Sequence, residues 1–382
     1  MASGDAGGES RWAGRSVLVL DHGFLKSRRG KPVHGVELFR LMLVEQMAAR
    51  GVRVTLAAER SWERALAERW PAVGTGPRPE VLWVPPLGGT VTCGVWAAAA
   101  ARGRGRFDAV LLGNPRRGLI PTVHLAARLG LGRRVVALAH RHARGGIAPA
   151  LRRAGVETWA VSEDVARTFR EQGCDVAGVM YGLPNAERFE PRERGPGAGD
   201  GVTRFCLLGR LPNVSKGHDR AVAAFRVMPA DLRARCELHL TSFVDEASVD
   251  VEAGDGVVVH TWMPPAEVPA FLRRMDVMLA ISSNETFSQA IVQGMLSGLA
   301  VIATPLEVYR EKLETGGGIV LDAVRDTDEL ALRMAELATD PARVSEMGAI
   351  GRRTALERYV WSTDRFLSGV LFREGEPAGG GR

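Results

Sequence analysis

Glu285 is a carboxylate set where burial makes a charge costly. It follows the apolar run VMLAIS, residues 277–282, and lies near the start of NETFSQAIVQGMLSGLAVIATP, residues 284–305, most of whose later positions are apolar. A charge there needs a polar partner. Thr286, Phe287 and Ser288 would place backbone N–H donors at a helix start, where free N–H groups and the helix dipole favour an anion. The Glu285 carboxylate can accept hydrogen bonds of the kind that sugar hydroxyls donate. Gln293 lies eight residues on, a little over two helical turns, so both side chains can address one ligand. The plainer reading is a carboxylate that caps the helix and a glutamine on its polar face.

A second cluster precedes it. The strand RFCLLG ends in Gly209 and Arg210, LPNVSKG follows, and Lys216 and Gly217 open the next helix. Two permanent cations at one strand-to-helix junction suit a diphosphate, arginine through its planar fork and lysine as a point charge. In a plain surface loop the same pair would be solvated. His140 ends the apolar strand RVVALAH, and a lone histidine there is either structural or aimed at a ligand.

The elements that must position these residues alternate. SVLVLDHGF, VRVTLAAE, EVLWVPP, FDAVLLG, RVVALAH and ETWAVS read as strands, with helices such as VELFRLMLVEQMAARG, IPTVHLAARLG and SEDVARTFREQG between them. EPRERGPGAGDG, residues 190–201, interrupts the period and reads as a linker. The alternation then resumes with RFCLLGR, ELHLTS, VVVHTW, VMLAIS, AVIATP and GIVLD. Alternation of this kind predicts two α/β domains, each a parallel sheet covered on both faces, with ligands at the strand C-terminal ends in a cleft between the domains. The expected division is a disordered tail over 1–14, a first domain over 15–189, a linker over 190–203 and a second domain over 204–357. A C-terminal helix over 358–373 is expected to cross back to the first domain, followed by a disordered tail over 374–382.

With 382 residues, 46% of them hydrophobic, the chain can bury two such cores. The N-terminal MASGDAGGESRWAG lacks the apolar stretch of a signal peptide, and no apolar run approaches a membrane span. Cys93, Cys174, Cys206 and Cys236 are scattered without a CxxC pair or a histidine cluster, which fits neither a zinc site nor a disulfide framework. A soluble cytoplasmic protein is the expectation, with no metal site. Charge is uneven. Residues 1–190 carry 28 Lys and Arg against 17 acids, and the remainder 22 against 27. Residues 101–153 alone hold 12 Arg and a single acid, Asp108. Compositional bias and a patch for an anionic ligand or membrane surface are both open readings. No helix-turn-helix, RNP or zinc motif accompanies the patch, which speaks against nucleic acid.

GRLPNVSKG followed by NETFSQAIVQGMLSGLAVIATP resembles the C-terminal domain of the retaining glycosyltransferases of the glycogen-synthase-like, family 4 type, which have the GT-B fold. Their pattern is Gly-Arg, then Lys-Gly, then a Glu-Gly-Phe-Gly stretch with a second glutamate and a Gly-x-Pro-Val-Ile ending. HGVELFRLMLVEQMAARGVRVTL is similar to the family's first Gly-rich loop and helix, RVVALAHRH to the strand with its active-site histidine, and ETWAVSEDVARTF to the strand and helix that follow. There are departures. Gln293 stands for the second glutamate, the turn is Glu285-Thr286-Phe287-Ser288, the Gly-Arg to Lys-Gly gap has an extra residue, and Ala300 replaces proline.

The resemblance implies two Rossmann-like domains, the first on the acceptor side and the second binding the donor, and transfer of a sugar, with retention, from a nucleoside-diphosphate-sugar co-substrate to a saccharide, lipid-linked or natural-product hydroxyl. No other cofactor and no metal are implied. It assigns Glu285 to the donor sugar, Gly209, Arg210, Lys216 and the Thr286–Ser288 segment to the donor phosphates, and Gln293 to the ribose. It places His140 near the reacting carbon, with His142 as the fallback, and Gly35 where its backbone can approach phosphate. Arg102, Arg104, Arg106, Arg116, Arg117, Arg133, Arg134, Arg141 and Arg144, with Lys26, Arg28, Arg29 and Lys31, exceed what a donor site needs. The expectation is an anionic acceptor or a membrane surface presenting one. A GT-B sugar-nucleotide epimerase and a non-catalytic two-domain sugar-binding protein are the alternatives.

Overall fold

The computed structural model describes residues 11–28, 35–70, 78–180, 182–183, 186–191, 200–209, 214–241, 254–260 and 263–373. They divide into two compact units, one within Met1–Met180 and Ser362–Arg382, the other within Tyr181–Trp361.

The first unit is built on seven parallel strands: β1 (Ser16–Asp21), β2 (Arg53–Glu59), β3 (Glu80–Val84), β4 (Phe107–Gly113), β5 (Gly132–Ala139), β6 (Glu157–Ala160) and β7 (Val176–Val179). Their order is β3-β2-β1-β4-β5-β6-β7. β1 and β4 are buried along their whole length, as parallel strands covered by helices on both faces must be. The edge strand β7 was not legible. It is four residues long, contains Gly178 and has no buried residue, so the apolar run that marks the other strands is missing.

The second unit has six parallel strands: β8 (Thr203–Leu208), β9 (Cys236–Thr241), β10 (Val257–His260), β11 (Val277–Ala280), β12 (Ala300–Ala303) and β13 (Gly318–Val320), ordered β10-β9-β8-β11-β12-β13. Successive side chains of a strand point to opposite faces. Cys206 and Leu208 accordingly join one core with Met278, Ile291 and Met295, while Phe205 and Leu207 join another with Phe225, Leu279 and Met334. In each sheet the chain reverses its direction of winding beside the first strand, between β1 and β4 and between β8 and β11. Such switch points open a crevice at the strand C-terminal ends.

Two expectations about the termini change. Of the tail expected over 1–14, residues 11–14 form a turn in which Trp12 is only 6% exposed; residues 1–10 and 374–382 lie outside the described residues. The Trp12 ring packs 5.7 Å from that of Phe372, and its Nε1 donates to Asp364 Oδ1 at 3.3 Å. The segment expected as one helix over 358–373 is interrupted. The helix Pro341–Arg358 ends, and Val360 pairs with Leu183, whose N–H donates to the Tyr359 carbonyl at 2.7 Å. The aromatic and β-branched run Tyr359-Val360-Trp361 favours this extended pairing. Ser362 then caps a new helix, Thr363–Phe366, which widens into a π-type turn over Leu367–Leu371. Arg50 donates from Nε to both Asp364 oxygens, and Arg373 pairs with Glu157 at 2.8 Å, so residues 362–373 complete the first unit.

All four cysteines are buried and free. Among the described residues no helix is long and apolar enough to cross a membrane. Trp12→Ala should cost about 3–5 kcal/mol, the range for removing a buried aromatic, and should raise amide exchange over 363–371 above that of β4. Wild-type exchange in that segment would show that Trp12 does not anchor it.

Candidate functional site

At the switch point of the second unit, Gly209 follows β8. A Cβ on Gly209 would lie 3.2 Å from Lys216 Cγ and 3.0 Å from the His218 ring, so its lack of a side chain lets Lys216 pass close. Lys216 closes the short turn Val214–Lys216, and Gly217, with φ +82°, leads into the helix His218–Val227. The Ser283 N–H donates to the Ser215 carbonyl at 2.8 Å, tying this turn to the loop after β11. Across that tie the Lys216 ammonium forms an ion pair with Glu285 Oε1. Lys216, Glu285, Ser282, Ser288, Ala290 and Tyr309 are among the residues lining one small cavity. Arg210 lies outside the described residues.

The helix begins at Gln289, later than the sequence suggested, so Glu285, Thr286, Phe287 and Ser288 form the loop before it. The reason lies at Ser288. Its φ is +59°, a left-handed conformation uncommon outside glycine, and it occupies the cap position without a side-chain cap bond. The free N–H groups therefore begin at Gln289, and Glu285 meets Lys216. Gln293 is half-buried in the second turn of the helix Gln289–Leu296.

Two residues of the helix Glu307–Leu313 escaped the sequence reading. Tyr309 is buried and shares side-chain hydrogen bonds with Ser282 and Ser288. Burial, with the Glu285 charge second, pushes its phenol pKa up, which keeps it a hydrogen donor. Lys312 is 0% exposed; its ammonium sits 4.6 Å over the Phe287 ring and 4.9 Å over the Tyr359 ring and donates to the Val308 carbonyl at 3.3 Å. EVYREKL reads as a solvated helix, and only the three-residue spacing of Tyr309 and Lys312 hints that they share a face.

In the first unit, His140 directly follows β5 and is buried, with its ring 5.2 Å from Phe39 and no hydrogen-bond partner for Nε2 among the described residues. Burial, then the charges of Arg40 and Arg141, hold its pKa well below the ordinary value, so the imidazole is neutral. His142, the fallback, is 2.6 Å from Asp164, which also holds Arg167. That partner gives it a structural role. Gly35 is the first residue of the helix Gly35–Ala49, which also presents Glu37 and Arg40. Arg40, 0% exposed, pairs with Asp21 at the end of β1 at 3.1 Å. A Cβ on Gly113 would fall 1.9 Å from Asp21 Oδ2, so the pair exists because β4 ends in glycine.

Around it, Arg40 Nη1 and Nη2, His22 Nδ1, Glu37 Oε2, Asn114 Oδ1 and His140 Nε2 are buried without hydrogen-bond partners among the described residues. Buried polar atoms are normally satisfied. Six such atoms, from five residues, gather at one set of strand ends, and of these residues the sequence singled out only His140.

A cavity of about 400 Å³ in the second unit is lined by Asp200, Arg204, His239, His260, Arg274 and Met275. There His239 joins Glu237 at 3.0 Å to His260 at 3.1 Å, and Arg204 holds Asp200 and Glu237. Most of its polar groups are thus spent on one another. Among the described residues no three His, Cys, Asp or Glu side chains are grouped to hold a metal ion.

A family model described as Glycosyl transferases group 1 matches residues 203–340. The GDP-mannose-dependent α-(1-6)-phosphatidylinositol monomannoside mannosyltransferase of Mycolicibacterium smegmatis is 28% identical over 275 residues, 63% of this chain and 69% of that protein. The MMP α-(1→4)-mannosyltransferase of Mycolicibacterium hassiacum is 30% identical over 115 residues, 29% of this chain and 28% of that one. Among solved structures, sucrose-phosphate synthase of Thermosynechococcus elongatus superposes with a TM-score of 0.72 at 16% identity, covering 94% of this chain and 98% of that one. HepE of Anabaena, in complex with UDP-glucose, does so with a TM-score of 0.65 at 18% identity, covering 90% and 95%. The fold is GT-B, with two Rossmann-like domains, and residues 203–340 are those that resemble the glycosyltransferase family model.

Lys312→Met keeps the length and removes the charge. Burial pushes the Lys312 ammonium down from an ordinary 10.5 to about 8, a bias on the order of 3 kcal/mol against the charged folded form. The variant should be more stable than wild type at pH 7. Between pH 8 and 10.5 the unfolded chain binds the proton and the folded one does not, so wild-type stability gains with pH there and the gap closes. Urea unfolding at pH 7 and pH 10 measures it, and a pH-independent gap would show that the ammonium is not the cost.

Proposed function

We propose that the protein is a retaining glycosyltransferase that moves a hexosyl group from a nucleoside-diphosphate-sugar to an acceptor hydroxyl. The observation that carries this reading is the Lys216–Glu285 pair at the β8/β11 switch point, inside the matched glycosyltransferase domain. A cation and a carboxylate held together there are a phosphate ligand and a sugar-hydroxyl ligand waiting side by side.

In this mechanism Lys216, with Arg210, turns to the donor diphosphate and stabilises the negative charge that grows as the glycosidic bond breaks, the kind of electrostatic contribution that usually dominates such sites. Glu285, released from Lys216, accepts hydrogen bonds from the donor sugar. Tyr309 and Lys312 sit behind the Glu285 loop and limit the cost of leaving that carboxylate without its ion pair. The N–H groups at the start of the helix Gln289–Leu296 face the phosphates, and Gln293 accepts from the ribose through its amide oxygen. The resemblance gives His140 and the Gly35 backbone, in the first unit, roles in donor binding, and a neutral His140 orients a hydroxyl without adding charge. The acceptor attacks on the face the nucleotide leaves, and the departing phosphate takes its proton. The two cations do the work that a divalent ion does in other transferases. Because the M. smegmatis relative uses GDP-mannose, GDP-mannose is the first donor to test, followed by UDP- and dTDP-sugars.

Lys216→Ala should weaken nucleoside-diphosphate binding by roughly 1.5–3 kcal/mol, the size of a charged hydrogen bond, with the fold intact by circular dichroism. Equal calorimetric affinity in wild type and variant would overturn the assignment, and conversion of the donor sugar without any acceptor would point to an epimerase instead. Gln293→Glu should be tolerated and tighten donor binding, since an ionised acceptor makes the stronger hydrogen bond. Loss of binding in that variant would give Gln293 another task.

A further inference from the structure

We propose that the cavity beside β8, β9 and β10 in the second unit binds a small molecule by an oxyanion head, phosphate or carboxylate, and takes up a proton with it. The site lies apart from the proposed donor machinery and does not depend on the glycosyltransferase reading. Arg204 stands at the start of β8 and Arg274 precedes β11, whereas Lys216 and Glu285 follow the ends of those two strands.

The sheet face is unusual in what it carries. Register pairs Arg204 with Glu237, Cys206 with His239 and Thr241 with His260. Arg204, Glu237, His239 and His260 therefore share the face on which Cys206 belongs to the core. A parallel sheet covered on both sides is normally apolar there. Phe271, from the helix Val268–Leu272, stands edge-on to the His239 and His260 rings at 6.1 and 5.2 Å. Beside them lies the cavity of about 400 Å³ lined by Asp200, Arg204, His239, His260, Arg274 and Met275, a volume suited to a small molecule.

The hydrogen bonds fix where the protons stand. Glu237 Oε2 accepts from Arg204 Nε at 2.8 Å and from His239 Nε2 at 3.0 Å, and the His239 bond, with the Arg204 charge after it, holds the carboxyl pKa below its ordinary value. An ionised carboxylate only accepts, so His239 carries its proton on Nε2. Its Nδ1 is then bare and accepts from His260 Nε2 at 3.1 Å. A neutral His260 is left with a bare Nδ1, which has no hydrogen-bond partner among the described residues.

The second unspent group is Arg274, exposed and without an ion-pair partner among the described residues; Arg204 is already shared between Asp200 and Glu237. The sequence groups its excess cations in the first unit, where Arg28 is 5.7 Å from the Trp62 ring and Arg29 and Lys31 lie outside the described residues. Arg274 stands apart from that excess.

Among the described residues, the charged and titratable groups around the His260 ring are Asp200, Arg204, Glu237, His239 and Arg274. Burial, then His239 and the Arg274 charge, oppose its protonation, and a bare nitrogen repels an oxyanion. An oxyanion held by the planar Arg274 fork cancels that charge and brings an acceptor to the ring. Nδ1 then gains a proton and donates to the anion. The chain behind it stays intact, because His260 Nε2 still donates to His239 and His239 still donates to Glu237. Reciprocity follows: the anion raises the proton affinity of His260, and the proton raises affinity for the anion.

NMR on the full chain with 13C-labelled histidine tests this, the His260 signal being identified by its contacts with the Phe271 ring and by its loss in His260→Gln. Its titration is followed in sodium sulfate and in sodium trifluoroacetate, a tetrahedral and a planar oxyanion whose charges are constant over the range, against sodium chloride at equal ionic strength. The midpoint should lie at least half a pH unit higher in sulfate or trifluoroacetate than in chloride, and the anion that moves it further names the head. Arg274→Gln should raise the midpoint in chloride and abolish the difference between salts, while Lys216→Ala should keep that difference. A midpoint that is the same in all three salts, a difference that survives in Arg274→Gln, or one that is lost in Lys216→Ala overturns the proposal.

Discussion

A carboxylate at the mouth of a buried strand has to be answered by a positive charge, and in the second unit that requirement organises everything around Glu285. Lys216 answers it directly. Gly209 omits a side chain so that Lys216 can arrive, Gly217 takes a left-handed turn after it, and Ser288 accepts a left-handed backbone so that the loop can double back before the helix starts. Strain at Ser288 is tolerable because Tyr309, buried in the core below, reaches its side chain. The first unit repeats the theme. Asp21 is answered by Arg40, and Gly113 leaves the room in which they meet. In both sheets the compensated charge stands beside the strand from which the winding reverses, which is where an open parallel sheet leaves space for a ligand.

Twelve of the thirteen described strands were legible because strands covered on both faces are rich in apolar residues, and such runs stand out. β7 failed that criterion by being short and half-exposed. Lys216 and Glu285 were legible as chemistry because a charge next to an apolar run is anomalous, but that they meet each other was not, since 69 residues separate them and no periodicity links two loops. Arg40 and Glu37 were invisible for a related reason: on an amphipathic helix a charged residue passes for the solvated face, and only the topology shows that this turn points inward. Lys312 is the extreme case, since nothing in EVYREKL separates a lysine held over two rings from one in water.

The arginine excess was read as a single feature and proves to be two. Some of it braces the strand N-terminal ends through ion pairs with Glu80, Asp108 and Glu157; Arg116 and Arg117 after β4 and Arg141 and Arg144 after β5 have no ion-pair partner among the described residues. Composition counts charges, and only position separates those held in ion pairs from those that are not.

The docking of residues 362–373 beside Trp12 also bears on how the chain is made. The first unit is assembled from two segments that flank the second, whereas the second is continuous. During synthesis the strands of the first sheet emerge early, yet the surface that receives Phe372 stays uncovered until residues 362–373 have been made. Domains generally fold as units; here the second to be translated is the first to have all of its residues. A nascent chain halted anywhere before residue 362 therefore holds an unfinished first unit, with the apolar face around Trp12 open to chaperones or to another copy of itself.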